Sequence, residues 1–157
     1  MKIKIMFFLS LMIFIAVSCH EKEKSELNYK EAKLIYDKAI EIHDEVMPKM
    51  GNLMQIQKSL KEVKEQITDK NLIDKIDISI QELENAHDVM MNWMRNIKRI
   101  PETDDIKTLD KQELELLPTP EEMEEIQSKS LEEIKKIKET VYSSIKNAEF
   151  LLASLNS

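Results

Sequence analysis

What most limits this chain is a spacing: apolar residues return every three or four positions through three long stretches, and little interrupts them. That period matches one face of an α-helix, whereas a half-buried strand alternates with period two. The sequence holds one glycine and four prolines, too few punctuating residues for the turns of an all-β chain. The fold class that follows is all-α: an elongated three-helix bundle, or a coiled-coil hairpin plus a third helix.

The first helix is expected over residues 27–67, with an aliphatic seam of Ala39, Ile42, Val46, Leu53, Ile56, Leu60, Val63 and Ile67. Thr68-Asp69-Lys70-Asn71 then supplies a short turn with capping residues, which favours an antiparallel hairpin. The second helix is expected over residues 71–99, through Ile73, Ile76, Ile80, Leu83, His87, Met90, Met94 and Ile97, and Pro101 ends it. Residues 101–119 read as a linker without helical pattern, its later half pinned by Leu114, Leu116 and Leu117. Fully extended, such a segment reaches about 60 Å, so it leaves the direction of the third helix open.

Thr119-Pro120-Glu121-Glu122 is a helix start in which Thr119 caps, Pro120 suits the first position and Glu122 closes a capping box. The third helix runs from there over residues 120–155, through Met123, Ile126, Ser130, Ile134, Ile137, Val141, Ile145, Ala148 and Leu152. The acids at 121–125 form a possible cation site, but a helix N-terminus favours acid for its dipole alone. Other carboxylates fall on solvated faces beside lysines, as Glu132 does with Lys136 and, at looser spacing, Glu133 with Lys138.

The N-terminus carries a separate message. Met1-Lys2-Ile3-Lys4 is basic, residues 5–17 are mostly apolar, and Ser18-Cys19 follows. These are the parts of a secretory signal. The apolar run rises only about 20 Å as a helix, short of the roughly 30 Å hydrocarbon core. Ala16-Val17-Ser18-Cys19 resembles the lipobox of bacterial lipoproteins, although Ala16 stands where Leu is usual. The resemblance implies that residues 1–18 are removed and that Cys19 becomes the acylated first residue. Two or more acyl chains suffice for stable anchoring. The competing reading is an ordinary cleaved signal ending near a free thiol, yet the chain's single cysteine stands where the lipobox needs it. Residues 19–26 then form a polar tether and residues 27–157 the helical bundle. The expected location is the cell envelope, on a bacterial membrane, facing periplasm or exterior.

Without residues 1–18 the chain holds 21 basic and 30 acidic residues, a net charge of −9. Nucleic-acid affinity comes from neutralising phosphates, so nucleic acid is not an expected partner. The expected partners are the membrane, through the lipid, and an envelope protein.

One chemical pattern stands out. His43-Asp44-Glu45-Val46-Met47-Pro48-Lys49-Met50 and His87-Asp88-Val89-Met90-Met91-Asn92-Trp93-Met94 both obey His-Asp-x-x-Met-x-x-Met. On a helix each presents a His-Met-Met stripe, and Met54 extends the first by a turn. Antiparallel pairing about residues 68–69 sets 43 against 94, 47 against 90 and 50 against 87. Pro48 is expected to kink the first helix and Gly51 to admit another backbone closely.

The pattern carries three readings. One is a soft-metal site for Cu(I) or Ag(I), built from His43, Met47, Met50, Met54, His87, Met90, Met91 and Met94. The second is plain packing, methionine filling irregular gaps beside half-buried histidine. The third is an adaptable methionine-rich surface for another protein. No Cys-x-x-Cys-His haem motif occurs, and phosphate loops, nucleophile elbows and zinc-hydrolase motifs are missing, so no enzyme and no cofactor is expected beyond the Cu(I) alternative.

The two windows, extended to His43-Asp44-Glu45-Val46-Met47-Pro48-Lys49-Met50-Gly51 and Ala86-His87-Asp88-Val89-Met90-Met91-Asn92-Trp93-Met94, resemble a family of small envelope lipoproteins often labelled "viral A-type inclusion protein". The likeness covers the signal and the first hairpin and is weaker in the linker and third helix. It implies a helical lipoprotein, and it transfers no catalytic or binding residue.

Overall fold

A computed structural model describes residues 27–155. They form five helices: α1 Lys30–Lys64, α2 Lys70–Asn96, α3 Thr103–Thr108, α4 Lys111–Leu116 and α5 Pro120–Leu155. No strand occurs among the described residues. The all-α class is therefore met, with α1, α2 and α5 packing together as a three-helix bundle. At 35 residues α1 is about 52 Å long, which sets the length of a rod.

Cross-helix pairs fix the directions. Gln57 donates to Glu84 at 2.7 Å and Lys64 pairs with Asp77, so α2 runs back along α1. Lys138 reaches Glu45 at 2.7 Å and Asn52 reaches Glu149 at 3.2 Å, so α5 is parallel to α1. Trp93 Nε1 donates to the Ser130 carbonyl at 3.1 Å and Gln127 to the Lys98 carbonyl at 2.8 Å, so α5 is antiparallel to α2. The order is up, down, up, the choice that the linker length alone left open.

The expected turn chemistry is present. Asp69 accepts from the Asn71 and Leu72 amides, satisfying donors that a helix N-terminus leaves open. The Glu122 amide donates to Thr119 Oγ1 at 3.2 Å, and the Thr119 amide to the Glu122 carboxylate at 2.7 Å, closing the capping box.

The rod core joins Val46, Leu53 and Leu60 of α1, Ile76, Leu83 and Met90 of α2, and Ile134, Val141 and Ala148 of α5, all of them buried. On α2 the seam differs by one residue from the expectation. Ala86, Met90 and Trp93 are buried, whereas His87 sits at the edge and Met94 is exposed. Spacings of three and four fit both stripes, and the large Trp93 ring decides which one turns inward.

Other expectations need correction. The segment 101–119 is not without pattern: α3 and α4 occupy most of it, and Asp110 with Glu113 forms a capping box at α4. Each has only six residues, too few for a helical period to show. Of the expected pins, Leu114 is buried and Leu117 half-buried, but Leu116 is 84% exposed. At Gly51 no backbone approaches: a Cβ added there meets nothing within 4 Å. On α5, Glu132 pairs with Lys135 rather than Lys136, and Lys138 crosses to α1 instead of meeting Glu133. Pro48 sits inside α1 on an exposed position, and the helix continues through it.

A second, smaller core closes one end of the rod. Leu27, Tyr29 and Ala32 at the start of α1 pack with Ile106 of α3, Leu114 of α4 and Met123 of α5. The Tyr29 hydroxyl donates to the Pro118 carbonyl at 2.6 Å, tying the start of α1 to the entry of α5. Burial pushes the Tyr29 phenol up from its ordinary pKa, with Glu122 adding in the same direction.

Candidate functional site

The hairpin brings the two His-Met windows to one level. The His43 ring stacks on Trp93 with centroids 5.6 Å apart and planes at 25°. This contact is one residue away from the 43–94 pairing expected from the turn. Trp93 is held from its other end by its bond to α5, so the stack sits where all three helices meet. Trp93 was absent from the expected site, and its place four residues before Ile97 was the available sign.

The two windows share a motif but differ in depth. His43 has a side chain 17% exposed, with Nδ1 2.9 Å from the Asp44 carboxylate. His87 is 37% exposed, with Nδ1 3.4 Å from Asp88. In both windows the aspartate that follows the histidine orients the ring. Among the methionines, Met50 and Met90 belong to the rod core, and Met47 and Met91 lie half-buried against it. Met54 and Met94 face outward at 58% and 40% exposure. The eight residues therefore divide into two in the core, four at its edge and two in solvent. Among the described residues, no three His, Cys, Asp or Glu side chains gather as a metal ion would require.

Beside this level lies a buried glutamine that the sequence reading missed, near Ser130, which the expected seam included. Gln127 is fully buried, and its Nε2 satisfies the Lys98 carbonyl just beyond the end of α2. Helix C-termini leave such carbonyls without partners, and here a side chain from another helix supplies the donor. Gln127 Oε1 and Ser130 Oγ have no partner among the described residues. A glutamine reads as surface in a periodicity argument, so only its i, i+3 and i+7 spacing to Ser130 and Ile134 signalled burial.

On the outer face, Glu45 accepts from Lys138 at 2.7 Å and from Tyr142 at 3.3 Å. The bond from Lys138 holds the Glu45 carboxyl below its ordinary range, and the same bond raises Lys138.

Cys19 and the tether at 19–26 lie outside the described residues, as does the signal at 1–18. No helix among the described residues is long and apolar enough to cross a membrane. No protein-family model, curated protein or solved structure matches the chain.

Proposed function

We propose that this chain is a lipid-anchored helical rod of the bacterial envelope, working as a non-enzymatic binding or structural module. Cys19 carries the reading: the chain's single thiol follows a small residue at the end of a short apolar run with a basic start. The bundle suits such a role because its described residues form a rod with a long core and a second core at one end. The likeness of the two windows to the small envelope lipoproteins belongs to the same proposal.

The test is metabolic labelling with a fatty acid. The parent chain should take up label and lose residues 1–18, and Cys19→Ser should do neither. Label on the Cys19→Ser chain would refute the anchor.

A second reading, Cu(I) or Ag(I) binding through the two windows, is favoured by one observation: the His43–Trp93 stack, which sets the windows side by side. Half-buried Met47 and Met91 are then the thioethers best placed at the core's edge. Competition with a Cu(I) chelator decides it. Met47→Leu and Met91→Leu should each weaken binding while costing less than about 1.5 kcal/mol of stability. A parent chain that does not compete removes the metal reading.

A further inference from the structure

The end of the rod at which the chain arrives from Cys19 contains a cleft of about 790 Å³, between the start of α1 and the segment joining α2 to α3. Its size falls within the range of small-molecule sites. One wall is apolar and aromatic, with Tyr36, Ile100 and Pro101 among its residues, and Lys30, Lys33 and Arg99 supply cations. Their pairing is uneven. Lys33 is engaged by Asp37 at 3.1 Å, whereas Lys30 and Arg99 have no ion-pair partner among the described residues. Of the acids lining the cleft, Asp104 is taken up by Lys107 at 2.8 Å, and Glu102 lies on the same segment. On a chain whose net charge without residues 1–18 is −9, the described lining of this cleft sets three cations, Lys30, Lys33 and Arg99, against two acids, Glu102 and Asp104, beside an aromatic wall.

Covalent geometry places this cleft. Leu27, which lines it, is eight residues beyond Cys19, a reach of at most about 28 Å. We propose that the cleft takes the headgroup of an anionic phospholipid from the membrane that holds the anchor. Lys30 and Arg99 bind its phosphate, and the tyrosine and proline wall covers the glycerol beneath it. This rests on the anchor reading for the source of the lipid. Arginine suits phosphate by its planar fork and lysine as a point charge. Tyrosine suits the boundary where one end of a side chain is wet and the other apolar. Docked in this way, the rod would acquire a fixed footing on the bilayer.

The test uses residues 20–157 without signal or Cys19, which keep every described residue of both cores. This chain is floated with vesicles of phosphatidylcholine alone or mixed with phosphatidylglycerol. It should float with the mixed vesicles only, against the sense of its own net charge. Lys30→Glu with Arg99→Glu should reduce the bound fraction by about tenfold or more, since each basic group near an anionic surface matters. Lys58→Glu with Lys135→Glu, the same charge change at exposed positions elsewhere on the bundle, should leave binding as in the parent. No flotation with mixed vesicles overturns the proposal. So does an equal loss in both double variants, and so does binding abolished by millimolar inorganic phosphate, which would mark a free-anion site. Because this chain has no Cys19, its flotation is independent of lipidation. Failure of the fatty-acid label would remove the anchor without touching this result, and failure to float would remove the cleft without touching the anchor.

Discussion

The rod core and the end core are built by different rules. In the rod, each helix contributes a stripe at helical spacing, and the stripes lie against one another over many turns. At the end, six buried residues come from four separate helices and the chain just before α1, and no two of the short pieces share a period. The rod is thus cooperative along its length. The end is a local clasp, closed by packing and by one hydrogen bond from Tyr29 to Pro118.

Truncations separate the two most sharply. Leu83 is fully buried in the rod, so Leu83→Ala should cost about 2–5 kcal/mol and lower the stability of the whole bundle. Leu114→Ala at the end should cost about 2 kcal/mol, since a small cluster beside a cleft relaxes more easily. Hydrogen exchange gives the decisive contrast. Leu83→Ala should release amides in α1, α2 and α5 together, and Leu114→Ala chiefly those of α3 and α4. If Leu114→Ala opened α1 and α2 as well, the end would be part of the rod.

The same contrast explains what the sequence disclosed. Rod residues such as Val46, Leu53, Ile80 and Ile134 were readable because long amphipathic helices repeat their signal. The clasp was not, because α3 and α4 make fewer than two turns each, and their burial depends on partners distant in sequence. The candidate windows fall between these cases. Their helical spacing and antiparallel facing were legible, and the His43–Trp93 stack fits them. Their depth was not, since rotating α2 by one residue exchanges Met94 for Trp93, and only packing against α5 selects between them.

Gly51 offers a smaller test, on the rod's surface. It lies exposed inside α1, with open space where a side chain would project. Gly51→Ala should therefore stabilise by somewhat under about 1 kcal/mol, through helix propensity and a less free unfolded chain. A thermal melt checks the sign. A lower melting temperature would mean that α1 needs freedom near Pro48, three residues earlier, and would return that stretch to consideration as a working segment.

The smallest expected effect tests whether surface ties add to the rod at all. Glu45 joins α1 to α5 through Lys138 and Tyr142, and the Lys138 and Glu45 side chains are 37% and 50% exposed, so water and salt screen the pair. Its folded pKa is depressed, chiefly by the bond from Lys138. A depressed carboxyl contributes stability above its unfolded pKa and loses it as pH falls through the folded value. Lys138 is raised by the same bond, so its share is present below the ordinary lysine range and lost as pH rises through the folded value. Between those limits Glu45→Gln should melt slightly below the parent, and added salt should narrow the gap. In strong acid the parent's own carboxyl is protonated, and the two chains should melt together. A deficit that persisted unchanged in acid would mean that Glu45 acts by shape at the α1–α5 seam rather than by charge, placing that contact with the packed core.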